Sequence, residues 1–145
     1  MPQARCNGID IEYDITGEGE PLVMIMGIGA QMILWPDALV AAIADRGFQV
    51  IRFDNRDIGM SSWLDHLGVP SIPKMTARAL MGIRVEAPYT LWDMAADTIG
   101  LLDALGIARA HIVGASMGGM VAQCVAIRHT ERVRTLTSIM STTGD

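Results

Sequence analysis

Apolar residues alternate with polar ones at Ile9, Ile11, Tyr13 and Ile15, the period of a half-buried strand. A turn cluster, Gly17-Glu18-Gly19-Glu20-Pro21, separates it from the continuous apolar run 22–26, which reads as a strand covered on both faces. Residues 35–45 predict a helix, with Pro36 in its first turn and Gly47 just beyond its end. The next strand is predicted at 48–53 and runs into the polar loop 54–62. From 63 to 89 the pattern weakens, broken by Pro70, Pro73 and Pro88, with a short helix expected near 75–81. Thr90 then offers an N-cap, with Asp93 three residues on. Leu91, Met94, Ala95, Leu102 and Leu105 follow at helical spacing until Gly106. A short buried strand at 110–113, a tight turn at 114–119, a helix at 120–129 and a strand at 133–140 complete the chain.

Strands that alternate with helices predict an α/β fold, a mostly parallel sheet with helices on both faces. In such sheets the chemistry sits at the carboxyl ends of the strands. The loops 27–30, 54–62 and 114–119 all follow strands, so they are expected to open on one edge. The strongest signal is Gly114-Ala115-Ser116-Met117-Gly118, a G-x-S-x-G set between an apolar strand and an apolar helix. A serine on so sharp a turn needs small neighbours, which Gly114, Ala115, Gly118 and Gly119 provide. Its hydroxyl would project above the sheet, beside a helix N-terminus that favours a developing oxyanion. The spacing is not G-x-G-x-x-G, and no acidic residue closes the following strand as a dinucleotide fingerprint requires. Gly27-Ile28-Gly29, after an earlier apolar strand, would let the main chain approach a substrate closely. An acyl-transfer site needs two main-chain donors from separate loops, and Ile28 and Met117 are the candidates.

Composition narrows the picture further. Of 145 residues, 50% are hydrophobic and 19% charged, the balance of a globular domain. The net charge of −5 with scattered Lys and Arg argues against a nucleic-acid surface. No apolar run is long enough for a membrane span and no secretory signal is visible, so a cytoplasmic location is expected. Cys6 and Cys124 lack metal-ligand spacing, and Cys124 reads as a small buried hydrophobe; no metal or cofactor is implied. The 11 methionines read mainly as core filling, with Met24, Met26, Met94 and Met140 at core periods. Met26, Met32, Met60, Met117 and Met120 fall near the predicted loops and could soften an acyl pocket.

Taken together, segments 23–28, 53–62 (FDNRDIGMSS) and 111–119 (HIVGASMGG) resemble the N-terminal half of α/β-hydrolase-fold carboxylesterases, in the branch of the aclacinomycin methylesterase-like enzymes. The resemblance covers nearly the whole chain. It implies a serine esterase acting on a hydrophobic small-molecule ester, with Ser116 as nucleophile and the N–H groups of Ile28 and Met117 as oxyanion donors. It implies also that Asp54, Asn55 and Arg56 brace the site. Met26 departs from the pattern, since many relatives carry a histidine before the glycine.

The family's order of Ser, acid, then His is not completed here. His129 lies about 20 Å along the following helix at 1.5 Å per residue, too far to act as base. His111 precedes its strand at the opposite edge, and His66 reads as a surface loop residue or, less simply, a substitute base. Asp145 follows the last strand, where some relatives place the acid. The chain is therefore expected to form the N-terminal part of one hydrolase domain. The remaining strands, cap, acid and histidine would lie on a second polypeptide docked along 133–140, a heterodimer, with self-pairing as the competitor. A non-catalytic binding module and a cofactor-free haloperoxidase or perhydrolase are the alternative activities.

Overall fold

A computed structural model describes residues 1–68, 71, 73, 77–78, 80–83 and 87–143. The apolar runs become the strands β1 (Gln3–Cys6), β2 (Ile9–Thr16), β3 (Glu20–Ile25), β4 (Phe48–Phe53), β5 (Ala110–Ala115) and β6 (Val133–Ile139). The helices are α1 (Asp37–Ala44), α2 (Leu91–Ala104) and α3 (Met117–Arg128). One six-stranded sheet has the order β1-β2-β4-β3-β5-β6. Its body, β4-β3-β5-β6, is parallel, and β1 and β2 add an antiparallel flank.

The period of two within β3 divides the core. Val23 and Ile25 join Ile51, Phe53 and Ile112 beneath α2 and α3, while Leu22 and Met24 meet Trp35 and Val40 on the α1 side. Helices on both faces of a largely parallel sheet are the architecture that the pattern predicts.

Several expectations shift in detail. β1 is an addition: its four residues show no alternation, and only pairing with β2 makes it a strand. Within β2, Ile9 and Ile11 are buried but Ile15 emerges into solvent. α3 begins at Met117 rather than Met120, because the turn is closed by Ser116 alone and the glycines already lie inside the helix. The capping box at Thr90 is present: Thr90 N–H donates to Asp93 Oδ2 at 2.7 Å, and Asp93 N–H donates to Thr90 Oγ1 at 3.4 Å. The Thr90 hydroxyl also donates to Asp93 Oδ2 at 2.8 Å, and this bond holds the Asp93 carboxyl below its ordinary range. Met24 and Met94 are core residues, whereas Met140 is 85% exposed, at a positive φ just past β6. Cys124 is buried. Within the helix expected near 75–81, Ala77, Arg78 and Leu80 are helical and Met81 lies in a turn, while Met75, Thr76 and Ala79 lie outside the described residues. No helix is long and apolar enough to cross a membrane among the described residues.

Candidate active site

At the end of β5 the chain must reverse from strand to helix within one residue. Ser116 takes φ 53° and ψ −122°, a positive-φ conformation that side chains with a Cβ rarely adopt. Its N–H donates to Ile139 O at 2.9 Å, tying the elbow to β6, and its carbonyl accepts from Gly119 N–H at 2.9 Å to open α3. The side chain is exposed. Close packing explains the glycines. A Cβ on Gly114 would lie 2.1 Å from Gly118 O, and one on Gly118 would lie 2.2 Å from Ile25 O. One on Gly119 would fall 2.6 Å from Ser141 Cβ. The helix start is thereby wedged against the end of β3.

The loop after β3 reaches the same place. A Cβ on Gly27 would stand 3.1 Å from Ser116 Cβ and 3.5 Å from its Oγ. Gly29 adopts φ +67° and Ala30 N–H closes a turn onto Gly27 O, leaving Ile28 79% exposed at its tip. Among the described residues, no main-chain hydrogen bond uses the N–H of Ile28 or of Met117.

The loop after β4 is packed beneath both. Asp54 is buried, and its two carboxylate oxygens accept from Met32 N–H at 2.7 Å and Met60 N–H at 3.3 Å. Gly59, at φ +54°, leaves room for that carboxylate. Asn55 Nδ2 donates to Met26 O at 3.0 Å, joining this loop to the glycine turn. Arg56 points the other way, donating from Nε and Nη2 to the two oxygens of Asp97 on α2, each at 2.7 Å. Asn7 Nδ2 adds a third bond to Asp97 at 2.9 Å. Both charges are buried, so the pair depends on this complete set of partners. Burial opposes the Arg56 charge, and the Asp97 carboxylate outweighs it and raises the guanidinium pKa. Burial in turn pushes the Asp97 carboxyl up, while Arg56 and Asn7 pull it back. The Arg56 guanidinium also lies 4.9 Å from the centroid of Tyr89. Asp97 was not foreseen, although an acidic residue among core-facing helix positions is the signal that could have found it.

Two hollows meet at Ile28 and Met117. One, of about 510 Å³, holds Ser116 with Met120 and Met140. The other, of about 380 Å³, is lined by Ile58 and Leu64 together with Asp57 and Tyr89. Met117, Met120 and Met140 thus stand at the serine, whereas Met32 is core and Met60 lies on the surface.

None of the three histidines bonds to Ser116. His111 Nδ1 meets Thr135 Oγ1 at 2.7 Å, and its ring stands edge-on to Phe48. His129 caps the far end of α3, with Glu131 at 4.0 Å, and His66 is exposed in a 3-10 turn. Asp145 lies outside the described residues. No cluster of ligand side chains suited to a metal ion occurs among the described residues.

Comparison with known proteins fits this geometry. Residues 20–145 match the family model described as alpha/beta hydrolase fold. Rhodomycin D methylesterase DauP of Streptomyces sp. (strain C5) is 35% identical over 83% of the chain, which covers 34% of that enzyme. Rhodomycin D methylesterase DnrP of Streptomyces peucetius is 34% identical over 97% of the chain, covering 42% of that enzyme. The crystal structure of the enol-lactonase from Burkholderia xenovorans LB400 superposes with a TM-score of 0.71 at 31% identity, over 91% of this chain and 44% of that one. The chain therefore spans less than half the length of these relatives. With its parallel sheet, its serine elbow and a family match over most of its length, the chain belongs to the α/β-hydrolase fold family of hydrolytic enzymes.

Proposed function

We propose that this chain is the nucleophile-bearing part of a serine carboxylesterase that cleaves hydrophobic small-molecule esters. The observation that carries the reading is the positive-φ Ser116 at the β5–α3 elbow, beside the glycine turn after β3. In the proposed reaction a histidine takes the Ser116 proton while Oγ attacks the ester carbonyl. The N–H groups of Ile28 and Met117 stabilise the tetrahedral oxyanion. The alcohol leaves with the proton returned by the histidine, and water then releases the acyl group from Ser116. Asp54 and Asn55 brace the loops that carry these donors. Apolar Ile28, Met117, Met120 and Met140 favour an apolar ester.

The histidine and acid would come from polypeptide packed along β6, and we infer a second chain carrying the C-terminal half. Two features support that placement: β6 is the outer strand of the sheet, and Leu136 and Ile139 on it are exposed. The test is p-nitrophenyl butyrate hydrolysis by the purified protein with any polypeptide that accompanies it. Hydrolysis that falls at least about 1,000-fold in Ser116→Ala, with folding retained, is the expected result. Turnover unaffected by that change would refute the assignment.

A further inference from the structure

The cavity that shares Ile28 and Met117 with the hollow at the serine has a chemically mixed lining. Much of its wall is apolar, with Ile58, Leu64 and Met94. Asp57 and Tyr89 line it as well. Asp57 sits at φ +61°, a conformation Asp tolerates better than most side chains, and its Oδ1 accepts from Leu64 N–H at 2.5 Å. The pKa of Tyr89 is pushed up to about 12 by burial and by the neighbouring Asp57 carboxylate, so the phenol keeps its proton. The Tyr89 ring is held by the Arg56 guanidinium at 4.9 Å, and Arg56 is itself fixed by Asp97.

These contacts decide what the cavity can recognise. Arg56 also lines it but is engaged by Asp97, so its charge is already matched. Asp57 and Tyr89 bring a carboxylate and a phenol to the same lining, and the oxygens of both accept hydrogen bonds. An anionic group would meet Asp57 and be repelled. A bare alkyl end would leave polar atoms unsatisfied on ligand binding. A neutral hydroxyl, donating its proton, satisfies them. At about 380 Å³ the space suits one arm of a small molecule.

We propose that Asp57 and Tyr89 are specificity-determining residues that select neutral esters whose apolar arm carries a hydroxyl group. This rests on the esterase reading of Ser116 for the placement of the ester, and its test does not require turnover. The intact protein carrying Ser116→Ala is titrated calorimetrically with methyl alkanoates and their ω-hydroxy counterparts of matched length. Alkyl acetates and ω-hydroxyalkyl acetates form a second series, for a hydroxyl on the alcohol arm. In one series, at one chain length, the hydroxyl is expected to tighten binding about tenfold, and Tyr89→Phe, which keeps the ring on Arg56, removes the advantage. Equal affinities throughout both series, or an advantage unchanged in Tyr89→Phe, would overturn the proposal. Fluorophosphonate labelling of the unmutated protein reports separately on Ser116. Labelling without hydroxyl preference overturns the present inference alone. Hydroxyl preference without labelling supports the role of Asp57 and Tyr89 and counts against the esterase reading.

Discussion

Replacing Gly118 with alanine would drive the elbow helix and the glycine turn apart. The new Cβ would lie 2.2 Å from Ile25 O, 2.7 Å from Ile25 C and 2.7 Å from Met26 O, all main-chain atoms that cannot rotate away. Ordinary contact begins near 3.4 Å, so relief demands that α3 and the end of β3 separate by about 1 Å. Overpacking of this kind costs about 1–3 kcal/mol of stability. Its effect on catalysis is larger in proportion, because β3 leads directly to Ile28 while α3 begins at Met117. Moving one of these proposed oxyanion donors against the other by about 1 Å is expected to lower kcat about 100-fold. The assay is steady-state hydrolysis of an activated ester, run beside urea unfolding. Gly106→Ala is the control. Gly106 is at φ +68° with open space around it, after α2 and away from the site. That control should lose about 1–2 kcal/mol from left-handed strain and keep its kcat. A Gly118→Ala protein within threefold of the parent kcat, or an equal kcat loss in Gly106→Ala, would rule out this coupling of the elbow to the glycine turn.

Two further predictions concern the support beneath the site. Asp97→Ala strands the buried Arg56 charge and should cost about 3–5 kcal/mol, whereas Arg56→Met with Asp97→Leu should recover most of that loss. Additive losses in urea midpoints would contradict the pairing. Burial pushes the Cys6 thiol from 9.0 up to about 11, and Tyr89 moves from 10.0 to about 12. The folded state thus keeps protons that the unfolded chain releases. The stability these groups contribute is fully present below pH 9 and is lost as pH rises toward 11 and 12. Unfolding midpoints should therefore fall between pH 8 and pH 10.5, and fall less in Cys6→Ala with Tyr89→Phe; identical pH profiles would count against the burial argument.

Much of the architecture was readable from periodicity. The switch from period two to period 3.6 locates β3, β4, α2 and β5 within a few residues, because each buries one continuous apolar face or both. β6 is located by its apolar positions alone, of which Leu136 and Ile139 stand exposed at the sheet edge. What escaped has physical reasons. β1 is made by its partner rather than by its own pattern. The first turn of α3 lies inside the tight turn expected at 114–119, because Gly118 and Gly119 read as the small neighbours a sharp serine turn needs. In the fold they are glycines because neighbouring main chain leaves no space for a Cβ. The nucleophile candidate was legible because a strained serine imposes a local signature of small residues. Asp97 and Tyr89 carry no such signature. They come to the site through contacts separated by dozens of residues, and only the folded chain shows that Arg56 joins them.

Whether Ser116 is the proposed nucleophile, a hydroxyl activated where two loops meet, is decided by a fluorophosphonate probe followed by intact mass and peptide mapping of every polypeptide in the sample. One adduct per chain is expected, on the peptide containing Ser116, and abolished in Ser116→Ala. An unmodified Ser116 peptide in folded, intact protein, or an adduct on a different residue, would contradict it.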